Sequence, residues 1–485
     1  MMKFDGKILV IGLGAVSRCA LPLLFKHIET KKKNITVMDF ADVEPHVRFV
    51  KEQGANFVRN RVTRENLGNL LGKHVGAGDI IVDLAWNIGC ADILQWCHDH
   101  HVRYVNTSVE LWDPYAGAAD KPPRERTLYF RHLAIRQMIS QWKNQRGSTA
   151  VLDHGANPGL ISHFTKVALE DIAKKWMSDH RASERRSQLE DACKNHSYNR
   201  MSQLLGVKVI HVSERDTQVS NAPKKMNEFV NTWSIEGFRE EGIAPAEMGW
   251  GTHERTLPAS AQLHLNGPQN QICLAHMGCQ TWVRSWVPCG EIVGMVIRHG
   301  EAFSISERLT VLQDGVPVYR PTVHYAYCPC DAAIASLHEL QMRNYDLQPN
   351  QRILGNDIVE GRDELGCLLM GHDYKSWWSG SLLDIHEARK LVPGQNATTL
   401  QVACSILSAV LWIIKNPNMG VCLPDDLPHD EIMKYAKPYL GSFISKPVDW
   451  TPLQNWHDPF ERYGRRRPAD EDVWQFGTFL MRGPC

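Results

Sequence analysis

An aromatic side chain is followed by carboxylates in the segment FVNTWSIEGFREEG, residues 229–242. Trp233 stands between two polar residues, and Glu240 and Glu241 come shortly after it. A tryptophan ring is the best π partner for an ammonium group, and carboxylates add charge-assisted hydrogen bonds to the same cation. This segment therefore predicts a site for a positively charged ligand.

Two other segments carry chemistry of the same kind. In HVSERDTQ, Glu214 lies at the end of a predicted strand, and in VIRHGEAFS, His299 follows another. Each residue also has a structural explanation, such as pairing of Glu214 with the arginine beside it or a core position for the tryptophan. Taken together, the carboxylates and the aromatic ring favour the cationic ligand.

A glycine turn lies between a predicted strand and a predicted helix in ILVIGLGAVSR, residues 8–18. The apolar run before it is typical of a buried parallel strand. Two glycines make a turn tight enough for the backbone to approach a phosphate, and the N–H groups that begin the next helix attract an anion. Ser17 stands where the dinucleotide-binding fingerprint has its third glycine. The cofactor-binding candidates in this turn are Gly12, Gly14, Ala15, Val16 and Ser17.

The next predicted strand, residues 34–38, runs directly into Asp39. An acidic residue roughly 20 positions beyond the glycines holds the ribose hydroxyls of NAD in dinucleotide-binding folds. Asp39 would repel the 2′-phosphate of NADP, and no arginine follows it directly. We therefore expect NAD as the cofactor.

Strands and helices alternate through the first 155 residues, which predicts a doubly wound, Rossmann-type parallel sheet. The first helix is predicted at residues 18–27, with Pro22 in its first turn. Ligands bind beyond the carboxyl ends of such strands, so Trp86, Thr107 and Glu110 become candidate binding residues. The predicted strands are 8–11, 34–38, 56–59, 79–84, 103–106 and 149–153.

The last of these strands leads into HGANPG, residues 154–159. Asn157 has the position of a helix N-cap and Pro158 that of the first helical residue, a purely structural explanation. The loop also follows a strand of the dinucleotide-binding sheet, so Asn157 is a candidate for contacting both cofactor and substrate.

The later chain has a different pattern. Residues 182–201 are polar and highly charged, which predicts an exposed excursion. Widely spaced strands then predict a second, α+β domain with a mixed or antiparallel sheet, at 207–213, 229–233, 261–265, 291–298 and 303–311. The predicted domains are 1–155 for the cofactor, 156–392 for substrate binding and dimerisation, and a helical segment at 393–485 that packs back on the first domain.

Composition narrows the class of protein. The 485 residues carry 54 Lys and Arg against 54 Asp and Glu, so no bulk charge points to nucleic acid or a membrane. The longest apolar run, residues 402–414, is too short to span a bilayer. Thirteen scattered cysteines indicate free thiols in the reducing cytoplasm, and none has the spacing of a metal site.

The segments ILVIGLGAVSR, HGANPGLISHF, HVSERDTQ, FVNTWSIEGF and VIRHGEAFS together resemble bacterial homospermidine synthases, which are related to the saccharopine dehydrogenases. GVCLPDDLP, residues 420–428, is also similar to that group. The resemblance implies a homodimer of two-domain subunits, NAD as cofactor, and a substrate pocket between the domains.

It also implies a reaction in which one putrescine is oxidised to an imine and a second putrescine displaces ammonia. The new imine is then reduced to homospermidine, with no net use of NAD; spermidine is a further possible substrate. Trp233 would stabilise the iminium, three glutamates would bind ammonium groups and transfer protons, and Asn157 would orient the ligands. The catalytic candidates are Trp233, Glu214, Glu241, Asn157, Glu110, His299 and Asp92.

Two alternatives remain open on the sequence. A saccharopine-dehydrogenase-like reductase would join an amine to an aldehyde or oxo acid, and an oxo acid calls for an arginine cluster where the second domain shows acidic residues. A non-catalytic NAD-binding protein would use the second domain only to bind a partner, since a fold alone does not prove chemistry.

Overall fold

A computed structural model describes residues 1–41, 44, 46–180, 183–464 and 466–481. Its first sheet contains seven strands, and every pairing between them is parallel. The strand order is Val421–Cys422, Ala150–Val151, Arg103–Asn106, Ile80–Asp83, Ile8–Ile11, Ile35–Asp39 and Asn56–Arg59. This confirms the predicted Rossmann-type sheet.

The strand order reverses at Ile8–Ile11, which lies between Ile35–Asp39 and Ile80–Asp83. A crevice forms at the carboxyl ends of parallel strands where their order reverses, and ligands bind there. The fold therefore places the glycine turn, residues 12–14, at the position where a dinucleotide site is expected.

The first helix, Ala15–His27, begins three residues earlier than the sequence pattern predicts. Pro22 consequently lies inside the helix and not in its first turn. A proline there removes one intrahelical hydrogen bond, which the burial of one helix face offsets. The other helices in the first 180 residues are His46–Glu52, Leu67–His74, Cys90–Asp99, Leu128–Ser140 and Leu160–Asp179.

The second domain is built on a mixed sheet of eleven strands. Thr322–Cys328 and Val209–Asp216 pair in parallel, and the other pairings are antiparallel. The main path runs through Ala261–Leu263, Gln271–Met277, Pro245–Gly249, Thr322–Cys328, Val209–Asp216, Arg362–His372, Lys375–Asp384 and Ser442–Val448. Gly290–Met295, Trp282–Val287 and Leu480–Met481 join it off this path. The predicted second sheet is thus confirmed.

Short two-stranded pairs and further helices complete the fold. The pairs are Met2–Lys3 with Ile28–Glu29, Val219–Ser220 with Ile358–Glu360, Glu228–Asn231 with Asn350–Ile353, and Val311–Gln313 with Val316–Tyr319. The helices are Glu184–Lys194, Tyr198–Leu205, Ile235–Ile243, Gly300–Arg308, Asp331–Met342, Ile385–Leu391, Ala397–Lys415, His429–Ala436 and Phe476–Phe479.

The strand predicted at residues 303–311 is wrong, because most of this segment forms the helix Gly300–Arg308. The segment does alternate apolar and polar residues, as a half-buried strand does. Ala302, Ile305 and Leu309 are buried together, however, at the three- and four-residue spacing of a helix face. Both patterns fit this short segment, and packing against the second sheet selects the helix.

The exposed excursion predicted at residues 182–201 is also wrong in part. It forms two helices, Glu184–Lys194 and Tyr198–Leu205, which bury Leu189 and Met201. Residue 182 itself lies outside the described residues. The high charge of this segment belongs to the outer faces of the two helices.

The helix Ala397–Lys415 is longer than the apolar run that predicts it. Within the described residues it is the one helix long and apolar enough to cross a membrane, but 89% of the relevant window is buried inside the protein. It packs against Ala15–His27 on one side and against the strands Arg362–His372 and Lys375–Asp384 on another. This late helix therefore belongs to the cores of both domains, and the chain then adds Val421–Cys422 to the first sheet.

A single apolar cluster consequently runs through both domains, from Ile8 and Val10 to Phe229, Trp377 and Leu407. The sequence-based domain boundaries at residues 155 and 392 remain a prediction.

We expect Leu407→Ala to lower the free energy of unfolding by about 2–5 kcal/mol, because it leaves a cavity in this shared core. The loss should appear in urea unfolding as one shifted transition, since both domains share the contact. Met419→Ala, whose side chain is 53% exposed, is the control and should change the free energy by less than about 0.5 kcal/mol. Two separate transitions in the Leu407 variant would contradict a shared core.

Candidate active site

Three parts of the chain line one pocket: the loops after the first sheet's strands, the second domain, and the late helix. Six of the seven catalytic candidates lie on its wall, namely Glu110, Asn157, Glu214, Trp233, Glu241 and His299. Val16, Trp86 and Thr107 from the cofactor candidates also line it. Residues that lie far apart in the sequence thus meet in one pocket.

Glu214 is held at the centre of a hydrogen-bond group. Its carboxylate accepts hydrogen bonds from the Asn157 amide, at 2.8 Å, and from the Tyr325 hydroxyl. Burial raises the pKa of Glu214 to about 7, against the lowering effect of these donors. It does not pair with Arg215, which instead contacts Asp331. Glu214 is therefore a carboxyl group that changes its charge near neutral pH.

Two further glutamates share this pocket. Burial, followed by repulsion from Glu240, raises the pKa of Glu110 to about 7. One Glu110 oxygen accepts a hydrogen bond from Ser108, and the other has no partner among the described residues. Burial also raises the pKa of Glu241 well above its usual range. A cation placed between these groups would supply the charge they lack.

Glu240 already has its counter-charges. Its carboxylate accepts hydrogen bonds from Arg131, at 2.6 Å, and from Arg298. Burial alone would raise the pKa of Glu240, but the two guanidinium groups outweigh it and hold the pKa below its usual value. The three side chains are almost fully buried and line the pocket.

Trp233 lies on the pocket wall and is half-buried. Its indole N–H donates a hydrogen bond to the Tyr327 hydroxyl at 2.9 Å, and its ring lies 5.3 Å from that of Phe238. These contacts fix the ring at the edge of the core while leaving part of it open to the pocket. The tryptophan is thus available to a ligand.

The loop that carries Asn157 differs from its predicted geometry. The helix begins at Leu160, so neither Asn157 nor Pro158 is its first residue or cap. Gly159 precedes the helix with a φ of 132°, and a Cβ there would lie 1.9 Å from the Gly155 carbonyl oxygen. This tight turn frees the Asn157 side chain to contact Glu214.

His299 lies 3.7 Å from the Glu241 carboxylate, and its ring packs edge-on against Tyr325. Burial, aided by the charge of Arg298, lowers the pKa of His299 to about 3. Its imidazole is therefore neutral at physiological pH.

The glycine turn is held from both sides. Gly12 has a φ of 93°, and a Cβ there would lie 2.9 Å from the Leu84 carbonyl oxygen, so only glycine fits. The Ser17 hydroxyl donates to the Gly12 carbonyl at 2.6 Å, and the Asp39 carboxylate accepts from the Leu13 N–H at 2.6 Å. Ser17 and Asp39 thus fix the turn that the sequence singles out.

Six candidates are not on the pocket wall, namely Gly12, Gly14, Ala15, Ser17, Asp39 and Asp92. Ala15 begins the first helix and lines a neighbouring cavity beside Arg18. Asp92 is not on the pocket wall: its carboxylate accepts a hydrogen bond from the Trp112 indole N–H. The helix containing Asp92 is preceded by Gly89 and has no side-chain cap. Asp92 therefore stabilises the loop around residue 112 and does not contact the pocket.

Several pocket residues are not among the candidates predicted from the sequence. Arg131 lies on the helix Leu128–Ser140, while Asp153 and Tyr325 come from a loop and a strand. Gln401 projects from the late helix, which the sequence links only to packing. Alternation in HYAY, residues 324–327, is the one local signal, since it places Tyr325 and Tyr327 on the same face of a strand.

Comparison with known proteins agrees with this architecture. Residues 8–151 match the saccharopine dehydrogenase NADP binding domain, and residues 155–447 match the saccharopine dehydrogenase C-terminal domain. Over 491 aligned residues the chain is 38% identical to the homospermidine synthase of Blastochloris viridis, with 99% of this chain and 98% of that one covered. The chain belongs to the homospermidine synthase family.

Other homospermidine synthases show the same extent of similarity. The protein from Mesorhizobium japonicum is 37% identical, covering 99% of this chain and 97% of its own. The crystal structure of homospermidine synthase from Legionella pneumophila, in complex with NAD, superposes with a TM-score of 0.87 at 34% identity, covering 99% and 98% of the two chains. The resemblance seen in the sequence motifs is confirmed.

The raised pKa of Glu214 gives a stability prediction for this member of the homospermidine synthase family. Below pH 4.5 the group is protonated in folded and unfolded protein alike, whereas between 4.5 and about 7 only the folded protein keeps the proton. The stability of the native state should therefore fall as pH rises through this window, by about 3 kcal/mol for the full shift.

Glu214→Gln should flatten that decline in urea unfolding measured from pH 4.5 to 8, because glutamine can still accept from Asn157 and does not ionise. Glu360→Gln, at an exposed position, is the control and should leave the pH dependence unchanged. An equal decline in both variants would show that Glu214 does not carry it.

Proposed function

We propose that the protein is an NAD-dependent homospermidine synthase that converts two putrescine molecules into homospermidine and ammonia. The observation that carries this proposal is the pocket in which Trp233, Glu110, Glu214 and Glu241 meet at the carboxyl ends of the first sheet. A diamine dication supplies the positive charges that these buried carboxylates lack.

The glycine turn fits the cofactor. A Cβ at Gly14 would have no neighbour within 4 Å, so open space lies over the start of the first helix. Its N–H groups would hold the pyrophosphate, and Asp39 would hold the ribose hydroxyls and disfavour NADP. Trp86 and Thr107 would line the same site. When bound, NAD accepts a hydride from the amine-bearing carbon of putrescine and returns it after the second amine has been joined.

The carboxylates hold the diamine by its charges. An ammonium group beside Glu110 and Glu214 lowers their pKa from about 7, so binding of the diamine and ionisation of the glutamates support each other. Glu241 adds a third carboxylate on the same wall. Asn157 holds the Glu214 carboxylate in place through its amide.

Trp233 faces the positive charge that develops when the amine becomes an iminium. The electron-rich face of its ring stabilises that cation, and the hydrogen bond to Tyr327 keeps the ring from turning away. Neutral His299 adds no competing positive charge beside it.

A saccharopine-dehydrogenase-like reductase is the second candidate. The structure corrects one argument against it, because two arginines that could bind an oxo acid, Arg131 and Arg298, do line the pocket. Both are paired with Glu240, however, and neither is free for a substrate carboxylate. A non-catalytic NAD-binding protein would not need unpaired glutamates in its interior. The charge of the pocket thus favours the diamine.

Incubation with putrescine and a catalytic amount of NAD tests the reaction. We expect homospermidine and ammonia in equal amounts over many turnovers, with no accumulation of NADH in the absorbance trace. Amine chromatography measures the product, and a sample without NAD is the control. Product formation that requires added NADH and consumes it one-for-one would favour the reductase instead.

Substitution of Trp233 tests the cation–π contact. Trp233→Phe should retain partial activity, whereas Trp233→Ala should lose roughly thirtyfold, since the contact is worth about 2 kcal/mol in a desolvated pocket. Binding of NAD, measured by calorimetry, should barely change.

Thermal melts separate this role from simple packing, for which truncation would cost about 3–5 kcal/mol of stability. Trp286→Ala is a matched control, because this half-buried tryptophan lies outside the pocket. If Trp233→Ala melts far lower but turns over normally per folded molecule, the ring is structural.

We also propose that the protein is a homodimer in the cytoplasm, as the resemblance and the free thiols suggest. Sedimentation at several protein concentrations tests the dimer.

A further inference from the structure

We propose that Asp153, supported by His132, is a catalytic proton acceptor of the pocket. The inference rests on the proposed function and assigns one step of it to a residue that no sequence motif singles out. Asp153 lies on the pocket wall just after the strand Ala150–Val151, among the loops that carry Ala85 and Thr107.

Asp153 and His132 form a buried carboxylate–imidazole pair. The Oδ2 atom of Asp153 accepts a hydrogen bond from His132 Nε2 at 2.8 Å, and the two side chains are 5% and 3% exposed. No described residue donates a hydrogen bond to the other oxygen, Oδ1, and Asp153 lines the pocket. His132 therefore fixes one carboxylate oxygen of a residue that lies on the pocket wall.

The surroundings hold this carboxylate in an unusual position. Asp153 has a φ of 58°, a left-handed conformation that costs about 1 kcal/mol or more in a residue with a side chain. Its N–H donates to the Asn106 side chain at 2.9 Å, which holds that conformation. A Cβ at Gly300 would lie 2.6 Å from Asp153 Oδ2, so glycine leaves the space the carboxylate occupies.

The position of Asp153 separates it from the carboxylates of the second domain, Glu214 and Glu241. Asp153 and Glu110 both follow strands of the cofactor sheet, and Asp153 lies two residues after its strand whereas Glu110 lies four residues after the strand Arg103–Asn106. The reactive end of a dinucleotide lies beyond the carboxyl ends of such strands, so Asp153 lies on the side where the reacting carbon must lie. Glu214, in contrast, already accepts hydrogen bonds from Asn157 and Tyr325.

The proposed reaction requires a group that takes and returns a proton. The first putrescine enters as an ammonium, which must lose a proton before its nitrogen lone pair can form the C=N bond as the hydride leaves carbon. Asp153 accepts that proton. After the second amine, entering as a free base, has added to the carbon, Asp153 returns the proton to the first nitrogen.

Asp153 then takes a proton from the newly bound nitrogen, and the first nitrogen leaves as ammonia while the new C=N bond forms. Once the hydride has returned to carbon, Asp153 gives its proton to the secondary amine of the product. The carboxylate is ionised again, and one positive charge has entered and left with the reacting nitrogens. His132 keeps Asp153 oriented throughout by its hydrogen bond.

A purely structural pair would tie the helix Leu128–Ser140 to the loop and take no part in chemistry. Asp153→Asn distinguishes the two roles, because asparagine can still accept from His132 but is not a proton acceptor for an amine. We expect kcat to fall by about 10²–10⁴-fold, the usual share of general acid–base catalysis. The KM for putrescine, the affinity for NAD and the melting temperature should change little.

Asp153→Ala supplies a second readout. The variant leaves space beside His132, and added formate should restore part of kcat by acting as the missing carboxylate. Formate should not restore Asp153→Asn, in which the space is filled. His132→Gln should reduce kcat less than either variant, since its amide can also donate to Asp153. Asp113→Asn, at an exposed position outside the pocket, is the matched control.

The unmodified protein is assayed alongside the variants, so that failure of this inference can be distinguished from failure of the proposed function. If it forms homospermidine while Asp153→Asn retains its kcat, or if formate does not rescue Asp153→Ala, the inference is overturned and the proposed function stands. If the unmodified protein forms no homospermidine, the proposed function fails and the inference fails with it.

Discussion

The structure depends above all on the burial of acidic side chains gathered around one cavity. Within the described residues, five carboxylic acids and two guanidinium groups line the pocket. Glu240 forms ion pairs with both guanidinium groups, those of Arg131 and Arg298. Glu110 and Glu214 therefore have no ion-pair partner of their own among the described residues. Their pKa values rise to about 7 because burial disfavours the charged form more than the nearby donors and arginines favour it. The charges around the pocket thus favour a cationic ligand.

The charged side chains of the pocket also connect different parts of the fold. Arg131 belongs to the helix Leu128–Ser140, whereas Glu240 and Arg298 belong to the second domain. The Arg131–Glu240 ion pair joins the two domains at the wall of the pocket. Breaking a buried pair of this kind leaves an uncompensated charge, which costs more than the pair itself contributes. The same contacts that shape the pocket therefore hold the domains together around it.

The sequence predicts those parts of the site whose signal is local. The glycine turn, Asp39 and the strand ends follow from short patterns, and Trp233 and the glutamates stand out through composition and family resemblance. Arg131 and Asp153 lie in segments that read as ordinary helix and loop, and only the tertiary fold brings them to the pocket. The prediction for residues 303–311 is wrong for the opposite reason. Their local pattern fits a strand as well as a helix, and packing against distant parts of the chain selects the helix.

The late helix Ala397–Lys415 has a consequence for how ligands enter and leave. Many enzymes with two domains open by rotation about a hinge, which separates the walls of the cleft. Here one helix lies in the cores of both domains and also supplies Thr398, Gln401 and Val402 to the pocket. A wide hinge opening would expose this apolar helix to water, so the shared helix favours ligand exchange through smaller movements. In the proposed reaction, a pocket that opens so little would protect an imine from hydrolysis until the second amine reacts.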